Sequence, residues 1–254
     1  MTGFGAFLRK ELTEIRRTWR IWVIPGMLVF FGVTSPIIAA LTPKLVQSMA
    51  TSQPGLVIRI PPPTARDAYV QFIKSLDQLV LIAIIITGAG AVSGERSAGT
   101  AILALTKPLS RAAFVLTKIL SQTMLLLVAT ALGTAVCLVV TAVVFDGAGG
   151  ARLVTAVALW LVYALLLIVV MTLCSAAFQS RGAAAGAGLG FYFLTLLLSA
   201  WGPAARSSFV GLVLATQKAL VVESLSLGWP LATAVVAIGA GTVAAVGIFE
   251  RQEL

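Results

Sequence analysis

The side chains able to do chemistry are few: nine Asp and Glu, eighteen Lys and Arg, two cysteines and no histidine in 254 residues. Without histidine, the commonest general base at neutral pH and the commonest metal ligand are both missing. Serine hydrolysis has no imidazole to activate it, no paired aspartates suit intramembrane proteolysis, and no Gly-x-x-x-x-Gly-Lys-[Ser/Thr] loop is present to cradle a nucleotide. Two thiols cannot make a four-thiolate zinc site or a disulfide framework. Cys137 and Cys174 fall late in two successive apolar runs of opposite direction, so their depths differ by about 18 Å at 1.5 Å per residue, too far for a bridge or a shared metal. Met171 and Cys174 are three apart on one helical face and could offer a soft Cu(I) pair, but apolar packing accounts for them more simply. No catalytic residue, metal site or cofactor is therefore assigned within this chain. The energy for any work it does has to come from another one.

One segment has specific content: Ser93-Gly-Glu-Arg-Ser-Ala-Gly-Thr-Ala-Ile-Leu-Ala-Leu-Thr-Lys-Pro-Leu-Ser-Arg111. Gly99 suits a reversal of the chain, and Thr100 can cap a short helix over 101–106. Pro108 ends that helix near Lys107, and Ser110 caps the next one. The short helix is expected to lie along a membrane surface, exposing Ile102, Leu103 and Leu105 between Glu95, Arg96, Lys107 and Arg111. An apolar knob inside a charged rim suits a protein partner. As a bare connector, the same turn would rest among lipid headgroups.

The elements that position this turn follow from composition. The chain is 59% hydrophobic and 11% charged, with a mean hydropathy of +1.03. A soluble domain is about 45–50% apolar and about 25% charged, so a soluble fold is excluded. Six charge-free runs stand out, at 21–43, 78–94, 119–145, 153–180, 182–205 and 224–249. About 20 apolar residues cross the hydrocarbon. Five runs suffice, and the short second run is completed if Asp77 sits at the outer interface. The expected fold is all-α and integral to the membrane, a single transmembrane domain over 1–254. Its parts are a cytoplasmic amphipathic helix (1–20), spans at 21–43, 78–94, 119–145, 153–180, 182–201 and 228–249, and a tail at 250–254. External segments occupy 44–77 and 202–227, and the cytoplasmic turn occupies 95–118.

Six spans put both termini on one side, where eleven of the eighteen basic residues fall, against seven on the other. The positive-inside rule makes that side the cytoplasm of a bacterial cell membrane. The net charge of +9 thus reads as orientation and attraction to the lipid bilayer, with no nucleic acid implied. The first run is longer than a signal-peptide core of about 7–15 residues and is read as an uncleaved span.

Four finer expectations complete the reading. Phe4, Leu8, Leu12, Ile15, Trp19 and Trp22 share one helical face, so residues 4–22 form an interfacial helix with Arg9, Lys10, Glu14, Arg16 and Arg17 on its other sides. The segment through Pro61-Pro62-Pro63 is extended, and a capping box from Thr64 to Asp67 starts one continuous helix from about 65 to about 93, roughly 43 Å long. Residues 202–227 fit a re-entrant or interfacial helical hairpin, with a folded external loop as the alternative. Gly182, Gly186 and Gly190 clear one face of the fifth span, for packing within the subunit or against a second copy.

The run Glu95-x-x-x-Gly99-Thr100, followed by Leu103, Leu105, Pro108, Arg111 and Lys118, resembles the membrane subunits of ABC-2-type ABC transporters, in particular bacterial half-size permeases. The motif covers about 24 residues, whereas the six-span topology, the amphipathic start and the hydrophobic segment before span six match along the whole chain. The resemblance implies a permease paired with itself or a relative, above two ATPase subunits that bind ATP and Mg. It implies that the turn between spans two and three is a coupling helix seated on the ATPase, with Glu95, Gly99, Thr100, Pro108 and Arg111 in that contact. Charge-free spans suit an apolar or amphipathic export substrate. The rival class is a standalone secondary carrier or a lipid-modifying enzyme. A carrier should show charge within its spans or internal repeats, and an enzyme a polar catalytic set.

Overall fold

The computed structural model describes residues 4–50, 61–97, 99, 110–146, 149–221 and 227–251. Every regular element among these residues is helical: α1 (Phe4–Arg17), α2 (Arg20–Ala50), α3 (Ala65–Ser75), a π-helical turn (Leu76–Val80), α4 (Leu81–Gly88), α5 (Ser93–Ser97), α6 (Arg111–Val144), α7 (Ala151–Ala177), α8 (Arg181–Ser199), α9 (Gly202–Ser207), α10 (Gly211–Lys218) and α11 (Gly228–Glu250). Six stretches are long and apolar enough to cross a membrane: Ile21–Gln47, Ala65–Ser97, Arg111–Val144, Ala151–Ala177, Arg181–Ser199 and Gly228–Glu250. The all-α, six-span expectation holds.

Burial sorts these spans into an inner pair and an outer set. The second and fourth are 72% and 61% buried over their most apolar windows, against 11% for the sixth. Trp160 and Tyr163 of α7 and Phe72 of α3 are fully enclosed. Val235, Val236 and Val243 of α11 and Leu197 of α8 are exposed, as side chains facing lipid can be, because lipid tails solvate them as well as a core does. The backbones of α2 and α6 approach closely. A Cβ on Gly32 would lie 2.6 Å from the Gly133 carbonyl oxygen, and one on Gly133 would lie 2.8 Å from the Leu28 carbonyl oxygen.

Two features differ from the sequence reading, and the start of α3 matches it. The first helix of the membrane region runs to Ala50 rather than stopping at 43, because it stays packed along α3. The proline-containing stretch at 61–64 is non-helical, and α3 begins at Ala65 with the Thr64 N–H donating to the Asp67 carboxylate at 2.8 Å. The second span is not one continuous helix. It contains the π-helical turn at Leu76–Val80 and opens into a turn at 89–92. Ser175 of α7 takes up the backbone groups this opening frees: its hydroxyl accepts from the Val92 and Ser93 N–H groups at 2.9 and 3.0 Å and donates to the Ala89 carbonyl at 2.8 Å. Such breaks persist in a span only where protein satisfies the backbone. Gly90 and Gly94 leave room for the Arg181 side chain, which lies 3.0–3.4 Å from where their Cβ atoms would be.

Candidate functional site

The end of the bundle that carries both termini is built around Glu95. Its carboxylate turns inward from α5, with its side chain only 11% exposed, and pairs with two ammonium groups from different helices. Lys10 of α1 reaches Glu95 at 3.0 Å, Glu11 at 3.2 Å and Glu14 at 3.0 Å. Lys118 of α6, itself buried, pairs with Glu11 at 2.8 Å and with Glu95. The carboxylate oxygens of Glu11, Glu14 and Glu95 lie within 4.8 Å of one another, a spacing that could hold a metal ion, and the two lysine ammonium groups bridge them.

Aromatic rings seal this cluster. Phe7, Phe114 and Phe249 form a row with centroids 5.3 and 5.0 Å apart, joining α1, α6 and α11. The ammonium groups of Lys10 and Lys118 sit 5.1 and 5.5 Å from the Phe7 and Phe114 ring centroids. In so dry a setting, ion pairs fix geometry more than they add stability, and removing one member leaves a stranded charge. Burial works against the Lys10 ammonium, but the bonded Glu14 carboxylate, with Glu11 and Glu95 alongside, holds its pKa above the ordinary lysine value. Its charge is therefore present throughout the neutral range.

The arginines around the turn bind carbonyls. Arg111 donates to the Glu250 carbonyl at 2.7 Å and to that of Phe249 at 3.4 Å, placing its charge at the C-terminal end of α11, where the helix dipole favours a cation. Arg96 reaches the carbonyls of Ala176 and Phe178 at 3.4 Å, at the end of α7. Gly99 adopts φ +69°, the left-handed conformation that the expected chain reversal needs. Ser110 caps α6 by accepting from the Ala113 N–H at 3.1 Å. Thr100, Ile102, Leu103, Leu105 and Pro108 lie outside the described residues.

Two expected surfaces are rearranged. The face of α1 turned to the protein is Phe7–Glu11–Ile15, with Phe4, Leu8 and Leu12 half-buried beside it and Trp19 and Trp22 exposed beyond its end. Glu11 was the residue the sequence reading missed. An acid four residues from apolar side chains on both sides, on one helical line, was the available signal. In the fifth span, Gly182, Gly186 and Gly190 have open space where a side chain would be, so none of the described residues packs on that face. The close contact in α8 is at Gly188, whose Cβ would meet the Met171 sulfur.

At the opposite end, the second span grips the short helices before span six. Arg66 donates to the carbonyls of Leu220 and Val221 at 2.8 and 2.9 Å. Asp77, in the π-helical turn, is buried rather than set at an interface; its main-chain oxygen accepts from the Tyr192 hydroxyl at 2.7 Å. Leu212, Val213 and Ala215 bury the inner face of α10.

Comparison with known proteins agrees with this architecture. A family model described as ABC-2 family transporter protein matches residues 6–242. The chain is 22% identical over 185 residues to the uncharacterized transmembrane protein YxlG of Bacillus subtilis (strain 168), an alignment spanning 73% of this chain and 72% of that protein.

Proposed function

We propose that this chain, which belongs to the ABC-2 family of transporter proteins, is the permease subunit of an exporter powered by a separate ATPase, and that Glu95 passes nucleotide-driven movement into the membrane. The observation that carries this reading is the double grip on Glu95. One carboxylate is held by an ammonium from α1 and an ammonium from α6, so a displacement of the turn after span two pulls the N-terminal helix and the third span together. Glu95 is thus a positioning residue. Direct contact with the ATPase falls to the 98–109 segment, through the apolar side chains of Ile102, Leu103 and Leu105 framed by Thr100 and Pro108. Arg96 and Arg111 anchor the two ends of that segment on the last turns of α7 and α11.

In this reading ATP and Mg bind in the partner, both termini face the cytoplasm of a bacterial cell, and a second copy or a related permease completes the path. The open face at Gly182, Gly186 and Gly190 suits that second copy, because bare helix faces allow backbones to approach closely. The spans carry long charge-free runs, which favour an apolar or amphipathic substrate over a bare ion.

The test is reconstitution with the ATPase, following complex formation, ATP hydrolysis and transport. Glu95→Gln keeps the shape of the side chain and removes its charge; it is expected to leave the complex assembled while uncoupling hydrolysis from transport. Leu103→Asp places a charge in an apolar contact and is expected to abolish complex formation. Transport at the parental rate in both variants refutes the coupling assignment.

A further inference from the structure

We propose that Asp77, Thr216 and Gln217 form a binding site for one small monovalent cation at the end of the bundle away from the termini. The argument starts from hydrogens. Asp77 is 9% exposed, and among the described residues no lysine or arginine nitrogen comes within ion-pair distance of its carboxylate. The nearest polar groups are the Thr216 hydroxyl at 3.5 Å and the Gln217 amide at 3.4 Å, both beyond the usual hydrogen-bond range of about 2.7–3.2 Å.

The hydroxyls nearby are already committed. Thr216 has a better acceptor in the Val213 carbonyl at 3.0 Å, so its single hydrogen points there and its lone pairs face Asp77. Tyr192 spends its hydrogen on the Asp77 main-chain oxygen at 2.7 Å. Thr195 donates to the Tyr192 carbonyl at 2.7 Å, which leaves the Tyr163 hydrogen for Thr195 at 2.6 Å. The carboxylate therefore meets an oxygen lone pair across 3.5 Å, with a single amide as donor. Two electron-rich oxygens held this way in a low-dielectric interior repel unless something positive lies between them.

The spacing narrows the choice to an ion the size of sodium or calcium. Ligand oxygens about 2.3–2.6 Å from a cation in octahedral array lie about 3.3–3.7 Å apart, which matches 3.5 Å, whereas magnesium at about 2.0–2.1 Å requires edges near 2.9 Å. A half-turn of the Gln217 amide exchanges nitrogen for oxygen in place and supplies a third ligand. The charge selects its valence. One carboxylate among neutral ligands balances one positive charge, while a divalent ion leaves an excess buried. The bound ion would join the π-helical turn of span two to α10, next to the Arg66 grip on the carbonyls of Leu220 and Val221.

This site is independent of the coupling turn and of the ATPase. The experiment uses the purified full chain in lipid nanodiscs, with apparent Tm followed in sodium, potassium, calcium or choline chloride at matched ionic strength. Sodium in place of choline is expected to raise Tm saturably, by about 3–8 °C well above Kd, and the larger potassium less. Asp77→Asn is expected to abolish the difference between salts, and Thr216→Val to weaken apparent affinity about tenfold. Equal Tm in all salts, a cation-dependent rise that survives Asp77→Asn, or stabilisation by calcium alone overturns the site. A Tm that depends on pH but on no cation assigns the position to a proton and overturns it equally.

Discussion

Glu95 and Asp77 lie on the same span, about 27 Å apart at 1.5 Å per residue, and the fold surrounds them differently. Glu95 meets two ammonium groups, each shared with another carboxylate, beside a row of three phenylalanines. Asp77 meets a hydroxyl, an amide and no cationic side chain among the described residues. A buried acid supplied with its own counter-charges is a fixed joint: it ties three helices together and responds to force. A buried acid among neutral neighbours keeps an unbalanced charge, and it responds to what binds. The helix geometry shows the same division. The break at 89–92 near Glu95 is fully stitched by Ser175, and the π-helical turn at Asp77 is met by Tyr192 through the main chain alone.

The contrast is most exposed to Lys118→Ala. Removing the buried ammonium leaves Glu11 and Glu95 to share only the half-exposed Lys10, and the expected loss is about 3 kcal/mol in a reversible denaturation measured in mixed micelles. Adding Glu11→Gln and Glu95→Gln should recover most of it; a triple variant as unstable as the single one would show that Lys118 acts through packing. Ser175→Ala probes the stitched break. It leaves the buried N–H groups of Val92 and Ser93 unmet, while the Ala89 carbonyl keeps the Ser93 hydroxyl as donor, with an expected cost of about 1–3 kcal/mol and faster amide exchange at 92–93.

Lys10→Ala is expected to cost less than about 1 kcal/mol, because this ammonium is half exposed and solvent screens it. The sign of its pH dependence comes from the raised pKa: the stabilisation is fully present below the ordinary lysine value and fades only as pH rises through the still higher folded value. Stability measured between pH 6 and 9 should thus show no step from Lys10. Asp77→Asn in choline chloride has the smallest expected effect and the opposite sign, neutral or slightly stabilising, since it removes an uncompensated charge. A large loss there would erase the distinction between the two ends.

The sequence by itself determined the membrane class, the six crossings and the location of the informative turn. These depend on run length, charge distribution and turn chemistry, which are local properties: a charge-free run must cross or be buried, Gly99 must take a left-handed φ, and Ser110 must cap the helix that starts at Arg111. Only the tertiary structure decided which charges meet. Glu11 and Lys118 lie more than a hundred residues apart and meet only where α1 folds against α6, and Asp77 reads as an interface residue until α10 covers it. The glycine pattern shows the same limit. Spacing marks a bare face at Gly182, Gly186 and Gly190, which stays open among the described residues, whereas close approaches within the subunit form at Gly32, Gly133 and Gly188, where neighbouring backbones and Met171 arrive. Pairing depends on the three-dimensional distance between segments far apart in the chain, and no local pattern carries that distance.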